Sequence, residues 1–162
     1  MGIKEAKGKY LAFLDDDDIW FPKKIENQLK KMELHNCMMS CTEGLMGKER
    51  FDPKKKYGKY LNEVCFKGVK RKFKKHGVDL SDGFSNIWNL NFINIHNCLV
   101  TSSVIVNKNL MEKIGGFKNI KYGEDYDCWK RAMEHTDCFF LQDEPYFYFA
   151  SLPDHDSNYN YY

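Results

Sequence analysis

No stretch of the chain approaches the roughly eighteen consecutive apolar residues that a membrane-spanning helix needs, and Met1-Gly2-Ile3-Lys4-Glu5 lacks the apolar run of a signal peptide. Neither a membrane span nor a secretory leader is therefore expected, and the expected compartment is the cytoplasm. Cys-x-x-Cys pairs are also missing. Cys37, Cys41, Cys65, Cys98, Cys128 and Cys138 are scattered, which argues against a zinc knuckle and for reduced, mostly structural thiols. The composition does not suggest disorder: 43% hydrophobic and 15% aromatic residues over 162 positions fit one soluble globular domain with a real core.

Charge is nearly balanced overall, at +2, but residues 48 to 75 carry twelve Lys/Arg against three Asp/Glu, so that segment is +9 and the remainder −7. Such polarity suits a phosphate-rich ligand, nucleic acid or an anionic membrane surface, without choosing among them.

Asp15-Asp16-Asp17-Asp18 follows the apolar run Tyr10-Leu11-Ala12-Phe13-Leu14 and precedes Ile19-Trp20-Phe21-Pro22. An unbroken apolar run of this length reads as a strand buried on both faces, as in a parallel sheet. The acids then sit at a strand's carboxyl end, where open α/β sheets bind ligands. Four adjacent carboxylates repel one another in a partly dry site, and a hard, oxygen-seeking cation such as Mg²⁺ or Mn²⁺ relieves that repulsion. A solvated acidic turn is the usual fate of a charge run, but it leaves the dry strand before it and the aromatic pair after it unexplained. A calcium loop fails on spacing. Counting Asp15 as position one puts Trp20 where the obligatory Gly belongs.

Met1 to Gly8 reads as the end of a helix. Pro22 opens a helix to about His35, with Ile25, Leu29 and Met32 at helical spacing, and Cys37 to Thr42 reads as a second buried strand ended by Glu43-Gly44. Residues 44 to 78 read as a basic insertion, a mobile excursion over the surface broken by Gly47, Pro53, Gly58 and Gly68. Beyond it the pattern predicts a helix within Asp79 to Asn91 presenting Phe84, Ile87 and Trp88, then a strand over Cys98 to Val106. Next come a helix from Lys108 to Ile114 capped by Asn107 and stopped at Gly115-Gly116, and a helix from Glu124 to His135. Strands follow near Cys138 to Leu141 and Pro145 to Ala150.

Gly123-Glu124-Asp125-Tyr126-Asp127 is a second acidic group, at a helix start where the dipole favours ionised carboxylates. A carboxylate there can act as a general base if the fold brings it to a substrate hydroxyl, and two acidic groups of this kind suggest a shared cleft.

Three blocks, in order, resemble inverting family 2 glycosyltransferases of the GT-A fold. They are Gly2-Ile3 through Ala6-Lys7-Gly8-Lys9-Tyr10-Leu11-Ala12-Phe13-Leu14-Asp15-Asp16-Asp17-Asp18-Ile19-Trp20 with Pro22-Lys23-Lys24 and Gln28; Thr101-Ser102-Ser103 through Gly115-Gly116-Phe117; and Gly123-Glu124-Asp125-Tyr126-Asp127-Cys128-Trp129. The resemblance implies an α/β, partial GT-A (Rossmann-like) fold with a mainly parallel sheet, and sugar transfer with inversion from a nucleotide-diphosphate donor to an acceptor hydroxyl. It implies that Asp15 and Asp17 bind Mn²⁺ or Mg²⁺ as a DxD motif, and that Asp125 is the catalytic base with Glu124 beside it. Asp15, Asp16, Asp18 and Trp129 are the implied substrate contacts. His155 is similar to a C-terminal metal-proximal His of such enzymes. The family's first half, which holds the nucleoside, has no counterpart, so the chain is expected to be a fragment, a split subunit completed by a separate N-terminal half or a homo-oligomer, or a remnant that binds without turnover.

Two other readings stand beside this one. A haloacid-dehalogenase-type phosphatase would use Asp15 as nucleophile and needs a later Gly-Asp-x-x-x-Asp, which Gly123-Glu124-Asp125-Tyr126-Asp127 fits poorly. A non-catalytic binding module would act through the basic segment, with salt-dependent affinity.

Overall fold

A computed structural model describes residues 2–150 of the chain. The elements run α1 (Gly2–Glu5), β1 (Tyr10–Ala12), β2 (Ile19–Trp20), α2 (Lys24–Leu34), β3 (Met39–Thr42), β4 (Leu45–Gly47), β5 (Gly58–Lys59), a π-helical turn (Tyr60–Val64), α3 (Phe66–Lys75), β6 (Ile87–Trp88) and α4 (Leu90–Ile95). A 3₁₀ turn (Thr101–Ser103), β7 (Ile105–Asn107), α5 (Lys108–Lys113), α6 (Glu124–Met133), β8 (Cys138–Leu141) and β9 (Phe147–Ala150) complete it.

Two sheets form. One has the order β1-β7-β3-β8-β6, the other β2-β9-β4-β5. The mixed α/β architecture is as expected, but the mainly parallel sheet is corrected. Only β3 with β8 and β4 with β9 pair in parallel, and the other five described pairings are antiparallel. β7 enters between β1 and β3 and runs against both, with Leu11 opposite Val106 and Met39 opposite Val106. A short apolar run carries no record of the direction of its neighbours, because both ladders satisfy its backbone equally. Nor is β1 buried on both faces: Leu11 is buried, Ala12 is exposed, and Leu14 just beyond is 48% exposed.

Asn107 caps α5 as its sequence suggests, its Oδ1 accepting from the backbone N–H groups of Asn109 and Leu110. α2 buries Lys24, Gln28 and Met32 while Ile25 is exposed, so its inward face is one step round from the apolar stripe. The helix expected within Asp79 to Asn91 is instead strand β6 followed by α4, which Asn89 caps through Phe92 N–H. Phe84 and Trp88 are buried there all the same, since one apolar cluster can be presented by a strand or a helix.

The segment 44 to 78, expected to be a solvated excursion, is instead anchored in the core over its second half, although residues 48–50 and 53–56 are exposed. Tyr60, Leu61, Val69 and Phe73 belong to the main core, and Phe73 lies against Phe92 with ring centroids 4.4 Å apart. The anchor is Glu43, whose fully buried carboxylate accepts from the backbone N–H groups of Gly44, Leu61 and Asn62 and from the Asn62 side chain. A Cβ on Gly47 would collide with the Tyr148 hydroxyl, which holds β4 close to the aromatic face of β9. Lysine density misled the hydropathy pattern because the apolar positions of α3 are few, though all of them point inward. All six cysteines are unpaired.

Phe73→Ala is therefore expected to lower unfolding free energy by about 3–5 kcal/mol in urea titrations. A loss below about 1 kcal/mol would return this segment to the surface.

Candidate active site

The aspartate turn leaves β1 at the edge of the first sheet and enters the second through β2. Asp15 and Asp16 are exposed, Asp17 is half-buried and Asp18 is buried. The turn is held by Ser102, whose hydroxyl accepts the Asp15 N–H at 2.9 Å and whose carbonyl accepts the Trp20 Nε1–H at 2.8 Å. Asp18 Oδ1 accepts the Ala150 N–H at 3.2 Å, whereas Asp18 Oδ2 is buried with no hydrogen-bond partner among the described residues. Burial pushes the Asp18 carboxyl up to about 6, helped by Asp17 and Asp15 and opposed by the neighbouring Ser102 hydroxyl and the Ala150 N–H.

Asp15 keeps an exposed edge yet sits in protein-dense surroundings. This loss of solvent raises its carboxyl above the ordinary value; Ser102 offsets part of the rise, and the charges of Asp17, Asp16 and Asp125 add to it. The two acidic groups of the sequence thus share one electrostatic neighbourhood.

Three aromatic rings bring them together. Phe13 packs on Trp129 and on Phe117 at 5.5 Å between centroids, and Phe117 packs on Trp129 at 5.4 Å. Trp129, expected to touch substrate, is fully buried, so its ring is a packing element. Gly123, at φ 71°, takes the left-handed conformation that turns the chain into α6 and puts Glu124 and Asp125 at its first turn. Asp125 Oδ1 accepts the Tyr126 N–H at 2.6 Å and Oδ2 accepts Asn97 Nδ2 at 3.5 Å. Burial raises the Asp125 carboxyl, the Tyr126 N–H opposes this, and Glu124 adds to it. Asp127 is turned elsewhere. It pairs with Arg131, which also donates to the carbonyls of Ile114 and Gly116 and so ties α6 to the end of α5.

Among the described residues no set of three or more His, Cys, Asp or Glu is arranged to hold a metal ion, and His155 lies outside them. The donor chemistry nonetheless suits a hard cation: the turn carries crowded carboxylates and one buried, unpartnered carboxylate oxygen. Mg²⁺-type sites at phosphates commonly use one or two protein carboxylates, with substrate oxygens and water completing the shell.

The residues that hydropathy misses are Lys24 and Gln28. Lys24 is 1% exposed, with Nζ donating to Gln28 Oε1 at 2.7 Å and Ser103 O at 3.3 Å and lying 4.6 Å from the Trp20 ring centroid. Gln28 Nε2 donates to Ser40 Oγ and Ser103 O, both at 3.0 Å. Together they fix the carbonyl next to Ser102, and Ser102 holds Asp15.

Residues 1–101 match the model of glycosyl transferase family 2. The chain belongs to this family. It is 32% identical over 143 residues, 86% of its length, to an uncharacterized glycosyltransferase of Rickettsia prowazekii (strain Madrid E), of which it covers 39%. It is 37% identical over 73 residues to the Escherichia coli UDP-Glc:alpha-D-GlcNAc-diphosphoundecaprenol beta-1,3-glucosyltransferase WfaP, covering 39% of this chain and 29% of that protein. The fold is similar to that of S. aureus TarS 1–349, with a TM-score of 0.61 at 16% identity, covering 91% of this chain and 37% of that one. The chain therefore spans about two fifths of the curated relatives that it matches along most of its own length. Membership favours the transferase reading over the phosphatase and the bare binding module, and the fold is that of a partial GT-A domain. No helix among the described residues is long and apolar enough to cross a membrane.

Burial lowers the Lys24 ammonium to about 7, with the Cys41 thiol slightly opposing. Its folded value lies below its unfolded one, so between these the unfolded chain binds more protons and stability rises with pH. Between pH 7 and 8.5 the rise should be about 1.5 kcal/mol, taken as wild type minus Lys24→Met so that cysteine titration cancels. Urea titrations at the two pH values measure it; parallel pH profiles would mean the ammonium is not desolvated.

Proposed function

We propose that this chain carries the catalytic half of a metal-dependent, inverting transferase that moves a sugar from a nucleotide-diphosphate donor to an acceptor hydroxyl. The observation that carries the reading is the convergence of Asp125 with the aspartate turn around Phe13, Phe117 and Trp129. Family membership supports it, as do the UDP-Glc named for WfaP and the complex of TarS 1–349 with UDP-GlcNAc.

In this reading Asp125 takes the proton from the acceptor hydroxyl as its oxygen attacks the anomeric carbon, and the diphosphate leaves from the opposite face. A raised carboxyl is the stronger base while ionised, which suits that task near neutral pH. Asn97 and the Tyr126 N–H orient the carboxylate, and Glu124 keeps the helix start acidic. Asp15 and Asp17 would hold Mn²⁺ or Mg²⁺ at the exposed side of the turn, with Asp16 and Asp18 shaping the donor side. Bound there, the cation supplies charge neutralisation to the diphosphate leaving group. The nucleoside would be held by polypeptide docked along the outer edge of β1, from a separate N-terminal half or a second copy. That edge is unpaired among the described strands and borders an apolar cavity of about 480 Å³ lined by Ile3, Ala6, Leu11, Phe13, Leu14 and Phe117. The chain would work as a peripheral protein at a membrane surface.

Asp125→Asn is expected to cut transfer by about 10²–10⁴-fold with donor affinity nearly unchanged, since a base acts in the transition state. Sugar-transfer assays beside donor calorimetry separate the two, and full activity would remove the base assignment. Calorimetry with Mn²⁺ alone tests the cluster. Asp17→Ala should weaken binding about tenfold or more, and an unchanged isotherm would place the cation elsewhere.

A further inference from the structure

Helix α3 (Phe66–Lys75) carries six Lys/Arg in ten residues and no acid. Val69 and Phe73 face the core, while Lys67, Arg71, Lys74 and Lys75 are exposed at i, i+4, i+7 and i+8, a single outward stripe. The five ion pairs of the described residues use Lys30, Lys55, Lys108, Lys118 and Arg131, so none of the α3 cations is neutralised by one. Their field reaches outward to Asp79, whose carboxyl is lowered first by Ser81 and further by Lys70 and Lys74. Val64, just before the helix, is 51% exposed. On the inner edge Lys72 Nζ lies 3.4 Å from His96 Nδ1, and the next residue, Asn97, reaches Asp125.

We propose that α3 is a membrane-docking surface whose outer stripe rests on anionic phospholipid headgroups with Val64 at the boundary. Resting on the function proposed above, this places Asp125 toward acceptors presented from that surface. The apolar face of α3 is spent on the core, so attachment is electrostatic, with the Lys and Arg stems lying along the headgroups. Single-stranded nucleic acid fits the stripe less well. Base stacking needs exposed rings, and the aromatics of α3 point inward: Phe73 is buried, and Phe66 packs on Phe84 at 5.7 Å. A flat anionic sheet needs only charge on one face. The lipid-linked acceptor named for WfaP fits such a location.

The test is co-sedimentation of the whole chain with phosphatidylcholine vesicles with and without phosphatidylglycerol, at low and high salt. Binding should require phosphatidylglycerol and fall with salt. The combined Lys67→Glu, Arg71→Glu and Lys74→Glu variant should bind at least about a hundredfold more weakly, since losing each cation costs about fivefold and each added carboxylate is repelled by the anionic surface. Lys48→Glu, Lys54→Glu and Lys56→Glu together make the same charge change off the helix and should cost far less. Asp125→Asn should bind vesicles as wild type does, which separates docking from catalysis. No binding to phosphatidylglycerol vesicles, equal losses in the two triple variants, or tighter binding to a single-stranded oligonucleotide would overturn the proposal. Circular-dichroism melts check that both triple variants fold.

Discussion

The packing of Phe13 on Trp129 and Phe117 is the contact on which the rest of the site depends. Phe13 lies two residues before Asp15, and Trp129 lies one helical turn beyond Asp125, so this cluster sets the separation of the acidic groups. Edge-to-face pairs of this kind contribute about 0.5–1.5 kcal/mol each beyond their burial. That is enough to offset part of the repulsion that Asp125 and Asp15 impose on each other, and the full burial of the Trp129 ring keeps water from replacing its side of the packing. The like-charge crowding is thereby held in place by the core beneath it, leaving the carboxylates available for chemistry.

Around that cluster the fold uses two serines of one short turn as fasteners. Ser102 serves Asp15 through its hydroxyl and Trp20 through its carbonyl, while Ser103 O receives both Lys24 and Gln28. A buried lysine with no carboxylate beside it costs stability at neutral pH. Its retention makes sense as orientation: two donors on one carbonyl hold the 3₁₀ turn more rigidly than an apolar side chain would, and the aspartate turn inherits that rigidity.

The sequence made the site legible where chemistry and local geometry coincide. Four aspartates after an apolar run, a glycine before Glu124-Asp125, and Asn107 before Lys108 are local signals, and the structure places each as a turn, a helix start or a cap. What failed was information carried by partners. The direction of β7, the strand character of Ile87–Trp88 and the inward face of α2 depend on what packs opposite, which hydropathy does not record. The resemblance implies a substrate contact for Trp129, yet the ring is buried against Phe13 and Phe117. The basic segment looked solvated because lysines outnumber the few residues, Val69 and Phe73 among them, that anchor it.

The bonds that organise the aspartate turn span long stretches of chain: 82 residues from Trp20 to Ser102, 87 from Asp15 to Ser102 and 132 from Asp18 to Ala150. Contacts this distant in sequence close slowly, because the loop entropy must be met before the contact forms. On a ribosome, Asp18 must wait until the 132 residues that follow it have emerged before it meets its backbone partner at Ala150. The turn consequently cannot complete its bonding until β9 is made, and a product cut short before β9 would retain the acidic turn without the strand that holds Asp18.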